Sequence, residues 1–391
     1  MPDFSTARLR ANPAFELVPY DRLSAEDQLT LTRLTTRRDF YGILKPVIPA
    51  GKLSMKAVDR NTALLFQALQ QPGPLPSYLA RETDTNFIPA LRELVLKEVL
   101  QVEINGRFLS GTAVYPLLSA DGTTPAPNGF LPELSFAAVQ YAARLGVMHA
   151  DQLAARLYCY NRLPLSIGTG DELRSPAAIR TTLGIAPEMP VAKSLSSYQS
   201  NSSEDAPAPG WWIWRARQQA TVRAPEGTYK LYVSPDRSAT GIAFQETANV
   251  MARHHCSVFK VGCSAYGLLR PDKIVAYFPS RDLVEEASRE LAARLQGCPV
   301  QGVPFSAQLT PDGLLSWGLD PPDHLRGGSE SLGSWRRWIT QRLAQLLLQS
   351  RGAGSVADRV SYTLERLRGE GVDVSNWSID PRLWCPEEEA L

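Results

Sequence analysis

Lys230 and Tyr232 stand two residues apart in "EGTYKLYVSP" (226–235), and side chains two apart on an extended chain share one face, so this strand sets an amine beside a phenol. A second amine, Lys260, sits at the centre of "VFKVG" among Val258, Phe259 and Val261. A half-buried ammonium there must be paired or lose its proton. "RPDKIVAYFP" follows with Arg270, Lys273 and Tyr277, and its alternation puts Lys273, Val275 and Tyr277 on one side of a strand. Arg336 and Arg337 open a helical run. Together these residues are strand-borne bases and cations. Each also has a simpler reading: a lysine that protects a sheet edge or snorkels to water, an arginine in a surface ion pair, a packed tyrosine.

Other chemistries lack their residues. "GTGDEL" (168–173) has no third glycine at dinucleotide spacing, and neither a Walker sequence nor a GxSxG elbow occurs. The histidines are His149, His254, His255 and His324. His254, His255 and Cys256 are consecutive and point in different directions, so no metal site is expected.

Elements that would position these residues can be read along the chain. Residues 1–190 read as a mostly helical domain with a small hairpin at Asn105-Gly106; its helices include "SAEDQLTLTRLTTRRDF", "SFAAVQYAARLG" and "SPAAIRTTLG". Residues 191–209, rich in Ser, Pro and Ala, read as a linker or mobile loop. Residues 210–391 mix strands and helices without βαβ alternation, which makes the fold class α+β. "GWWIWRARQQATVRA" and "TYKLYV" read as an antiparallel pair around "PEG", and "SRDLVEEASRELAARLQG" as an amphipathic helix capped by Ser280.

At 391 residues with 44% hydrophobic and 21% charged residues, the chain is globular and, at about 150 residues per domain, long enough for two or three domains. A net charge of +1 argues against a nucleic-acid surface. No apolar run reaches membrane-spanning length and the first residues lack the apolar core of a signal peptide, so a cytoplasmic protein without membrane contact is expected. Five cysteines without CxxC spacing fit reduced thiols.

The order "YKLYVS", "VFKVG", "RPDKIVAYFP" resembles the lyase domain of lanthipeptide synthetases, with its K-x-H-V-S, F-K and G-K-x-x-x-x-Y-P runs. That domain belongs to the phosphothreonine lyase family of bacterial effectors, the OspF- and SpvC-like proteins. "DGLLSWGLDPP" followed by "SESLGSWRRWITQRLA" resembles the HopA-type branch, whose members include stand-alone lyases of class V lanthipeptide and thioamitide biosynthesis. The resemblance spans residues 210–345 and implies a carbon–oxygen lyase that removes phosphate from phosphoserine or phosphothreonine by β-elimination, without cofactor or metal. It implies Lys260 as the base, with a pKa lowered by burial, and Lys230 as a cation for phosphate and the developing enolate-like oxygen. Arg270 and Arg336 match phosphate-holding guanidiniums, with Lys273 and Arg337 beside them, and Tyr277 matches a substrate-contacting tyrosine.

The chain departs from the family where the acid, a histidine, is replaced by Tyr232. Three outcomes stay open: Tyr232 as acid with a pKa lowered by neighbouring cations, His255 reaching in, or elimination lost. The implied partners are a phosphorylated ribosomal precursor peptide and a separate Ser/Thr kinase, since no kinase motif occurs here. The alternatives are a non-catalytic scaffold that binds a kinase or peptide through "WWIWR" (211–215), Trp335 and Trp338, or a virulence effector acting on host phosphoproteins.

Overall fold

A computed structural model describes residues 4, 7–31, 39–48, 55–76, 87–118, 127–166, 168, 170, 173–185, 189–200, 210–217, 228–254, 256–321 and 333–379. The class is α+β. Two compact units are formed, residues 1–124 with 345–370 and residues 125–344 with 371–391.

The first unit holds two three-stranded antiparallel sheets. One joins β1 (Leu9–Ala11), β5 (Leu100–Ile104) and β6 (Arg107–Leu109), and the other joins β2 (Phe15–Pro19), β3 (Phe40–Pro46) and β4 (Lys56–Asp59). The hairpin between β5 and β6 turns on Asn105 (φ 52°) and Gly106 (φ 75°), the positive pair that the Asn-Gly sequence supplies cheaply. Beyond that hairpin the sequence reading placed no strand in this region. β1 and β4 are short, and Pro19, Gly42 and Pro46 break the alternation of β2 and β3. Phe40, assigned to a helix, begins β3; the helix covers Ala25–Leu31.

The second unit is built on a seven-stranded antiparallel sheet in the order β12 (Ala307–Gln308), β13 (Leu315–Leu319), β9 (Tyr229–Val233), β11 (Ile274–Phe278), β10 (Val258–Gly262), β8 (Trp211–Ala216), β7 (Tyr198–Ser200). β8 and β9, expected as a pair, are separated by β11 and β10. β9 is instead a central strand whose Leu231 and Val233 are wholly buried, so it needs a partner on each side. Residues 191–200, expected as linker, form the helix Val191–Leu195 and the strand β7; Tyr198 anchors them by donating its hydroxyl to the carbonyls of Met251 and Cys256 at 3.0 Å each. Residues 201–209 lie outside the described residues.

One face of the sheet is core. Leu231, Ala276, Phe259 and Trp214 point that way, under the helices Thr240–Arg253 and Arg281–Arg294; Trp214 stacks on Phe259, and Phe244 packs tilted against both, with centroids 5.3–6.4 Å apart. Ser280 caps the second of these helices by accepting from the Leu283 amide, as expected. The other face carries the polar residues.

Candidate active site

Register determines what meets on that second face. Directly paired residues of an antiparallel sheet point the same way. One row therefore runs Gly318, Lys230, Tyr277, Val258, Arg215, and the next runs Ser316, Tyr232, Val275, Lys260, Ile213. Lys230 and Lys260 flank β11 diagonally, and their Nζ atoms lie 5.2 and 5.3 Å from the centroid of the Tyr277 ring. Phe259 and Val261 sit on the opposite face, so the burial of Lys260 comes from Trp211, Val275 and Tyr277 rather than from its neighbours in sequence.

The face floors a cleft of about 390 Å³ lined by Lys230, Lys260, Arg270, Arg336 and Arg337, by the carboxylates of Asp272 and Asp320, and by Tyr158, Trp211, Tyr232 and Tyr277. Five cationic side chains face two carboxylates, although the whole chain is nearly neutral. Asp272 accepts twice from Arg270, at 2.9 Å from both Nε and Nη2, and lies 2.8 Å from Arg336 Nη1. Tyr158 closes this array: its hydroxyl accepts from Arg270 Nη2 at 2.6 Å and donates to Asp272 at 3.2 Å. Arg336, 1% exposed, also donates to the Tyr158 carbonyl at 3.0 Å. Asp320 pairs with Lys230 at 2.6 Å, and its other oxygen accepts the Trp335 amide at 2.9 Å. That carboxylate fixes the start of the helix Trp335–Gln349, and with it Arg336, against β9.

Glycine makes the docking possible. A Cβ on Gly318 would lie 2.6 Å from Trp335 Cδ1, so only the bare backbone lets the helix approach the sheet. Gly318→Ala is expected to cost about 1–3 kcal/mol of stability in denaturant unfolding. Wild-type stability in that variant would show that the contact yields freely.

Ionisation follows from these neighbours. Burial first, then the Lys230 charge, lowers the Lys260 pKa to about 8. Among the described residues neither a carboxylate nor a hydrogen-bond acceptor is paired with its amine. Burial would raise the Asp272 pKa, but Arg336 and Arg270 outweigh it and hold the carboxyl well below the usual range. Tyr232 was expected to fall. Burial, and after it the Asp320 charge, pushes it well above the ordinary phenol value instead, so it keeps its proton at neutral pH.

The structure thus brings together Lys230, Tyr232, Lys260, Arg270, Tyr277 and Arg336. Lys273 is not with them. At the strand's start its side chain turns inward, fully buried, and donates to the Pro235 carbonyl and to Gln301. Burial lowers its pKa to about 7. His255 lies outside the described residues. Trp212, Trp214, Trp335 and Trp338 are core residues, each 5% exposed or less, so they offer no scaffold surface. The sequence reading missed Asp272, Asp320 and Tyr158 altogether, and assigned Trp211 to an interface. Among the described residues no group of three or more His, Cys, Asp or Glu could hold a metal ion.

No protein-family model and no curated protein matches the chain. Among solved structures it is similar to an effector protein from Pseudomonas syringae pv. syringae strain 61, with 14% identity, TM-score 0.36, and 63% of this chain and 98% of that one covered. A second effector, from Pseudomonas syringae pv. tomato strain DC3000, has 12% identity, TM-score 0.37 and coverages of 64% and 98%. The VirA (SpvC) phosphothreonine lyase effector of Chromobacterium violaceum has 13% identity, TM-score 0.25 and coverages of 45% and 99%.

Proposed function

We propose that the chain is a phosphothreonine/phosphoserine lyase acting on a phosphorylated peptide. The observation that carries this reading is Lys260: an amine with its pKa lowered to about 8, without an acceptor among the described residues, in a cleft where Lys230, Arg270 and Arg336 are each held by a carboxylate. Such a cleft suits a dianionic group beside a base.

In the reaction, Lys260 Nζ takes the proton from the substrate Cα, and the electron pair left behind forms the Cα=Cβ double bond. The Cβ–O bond breaks and its pair leaves on the phosphate oxygen. Lys230, Arg270 and Arg336 offset the phosphate charge as it departs. Arg336 is held against Asp272 at 2.8 Å, and its place in the cleft wall sets its charge beside the phosphate. Tyr232, protonated and without a hydrogen-bond partner among the described residues, donates to the leaving oxygen. The substrate needs prior phosphorylation by a separate kinase; a ribosomal precursor peptide destined to carry dehydroalanine or dehydrobutyrine fits that requirement.

Two kinetic expectations follow. The ratio kcat/KM should rise with pH through a midpoint near about 8, because the ammonium cannot take a proton and the amine can. That limb is distinct from the substrate phosphate's own ionisation near about pH 6. A profile flat across that range would remove Lys260 from the base role. Tyr232→Phe should lower kcat by about 10–100-fold with KM little changed, a modest loss because a cation-bound phosphate leaves without full protonation. Unchanged kcat would mean that Tyr232 only packs.

The reading itself is tested by treating a phosphothreonine peptide with the protein and then with a thiol. Elimination leaves an unsaturated residue that adds the thiol, whereas hydrolysis leaves threonine, which does not. Phosphate release without thiol addition would replace the lyase by a phosphatase.

A further inference from the structure

The segment "WWIWR" (211–215) splits between the two faces of β8. Trp212 and Trp214 enter the core, while Trp211, half-buried, points into the cleft. Trp211 is paired in register with Gly262 of β10. A Cβ on Gly262 would lie 2.4 Å from the Gly267 carbonyl carbon, so the bare backbone lets the segment ending in Arg270 approach β10 beside the indole. Two cations consequently meet one ring: Lys260 Nζ lies 4.4 Å from the Trp211 centroid and Arg270 Cζ 4.8 Å from it. Tyr277 and Tyr158 give each cation a second aromatic face, at 5.3 and 5.2 Å.

We propose that Trp211 is a positioning residue whose indole face aligns the Lys260 amine and the Arg270 guanidinium, taking for Lys260 the place that a carboxylate takes for Lys230, Arg270 and Arg336. This rests on the lyase reading for its consequence, not for its geometry. A carboxylate would hold Lys260 protonated and occupy its hydrogens. A ring face attracts the ammonium through its quadrupole and leaves the nitrogen lone pair, once formed, without a competing donor or acceptor. The charges facing Lys260 are Lys230 from β9, Arg270 and Asp272 from the segment before β11, Asp320 after β13, and Arg336 and Arg337 from the helix. All of these residues are retained when only residue 211 is replaced, and of them only Arg270 shares the indole.

The test measures pH-dependent acetylation of Lys260 by trace acetic anhydride, mapped by peptide mass, in full-length wild type, Trp211→Phe and Trp211→Leu. Elimination of phosphate from a phosphothreonine peptide is followed in parallel. Leucine keeps apolar cover but has no π face, so the labelling midpoint should drop below the wild-type value by about half a unit to one unit, with phenylalanine between. On the lyase reading, kcat should fall as the amine loses alignment and KM should rise as Arg270 loses its brace. Water entering a merely structural gap would move the midpoint upward, the opposite sign. A midpoint at or above wild type in Trp211→Leu overturns the proposal. If that variant does not fold, Trp211→Phe decides: a smaller downward shift supports the role and no shift overturns it. If wild type does not eliminate phosphate, the lyase reading fails, while the labelling midpoints still decide what the indole does.

Discussion

Lys260→Ala should lower kcat/KM for phosphate elimination by about 10²–10⁴-fold, the range for removing a positioned base, and leave the thermal midpoint nearly unchanged. The second half of that expectation comes from the site. Lys260 is half-buried at the cleft, pairs with no carboxylate among the described residues, and relieves a charge repulsion with Lys230 when removed. Lys260→Arg separates base from charge: a guanidinium keeps the cation but holds its proton at any pH a protein tolerates, so turnover should be lost as in the alanine variant. Steady-state kinetics on a phosphothreonine peptide, with thermal unfolding of each variant, measures both. Turnover within tenfold of wild type in Lys260→Ala would show that the proton goes elsewhere.

Asp272→Asn should cost about 3–5 kcal/mol of stability and most of the activity, because it leaves the buried Arg336 and the half-buried Arg270 guanidiniums facing a neutral amide. Asp272 is 5% exposed and takes three close contacts from Arg270 and Arg336. Its folded pKa is depressed below the unfolded value, so its contribution is present above the ordinary carboxylate range and is lost as pH falls below about 4. Denaturant unfolding should therefore show the variant losing its deficit relative to wild type as the solution is acidified. An equal deficit at pH 7 and at strongly acid pH would place the loss in packing rather than in charge.

How much of this was legible depended on distance along the chain. The pairing of Lys230 with Tyr232 on one face needs only the period of a strand, and β9 has it. Val275 and Tyr277 follow the same rule. The rule falls short at Lys273, just before the strand: its side chain is fully buried on Pro235 and Gln301 and does not line the cleft. Asp272 stands beside Arg270 in plain view, yet a single aspartate in "RPDK" looks like a surface partner until Arg336, 64 positions later, is seen to share it (336 − 272). Tyr158 carries no local signal at all; it arrives at the end of the helix Ala150–Tyr158, in a segment with no strand of the sheet. Sheet order was equally hidden, since nothing in "WWIWRA" or "TYKLYV" says that two strands from later in the chain will come between them.

Incubation of a synthetic phosphothreonine peptide with the purified protein, without added metal or nucleotide, followed by intact-mass measurement, tests the lyase reading most directly. The expected result is loss of the mass of phosphoric acid, giving dehydrobutyrine, in wild type and not in Lys260→Ala. Recovery of the peptide with its phosphate intact, also when a kinase and its precursor peptide are supplied, would contradict it.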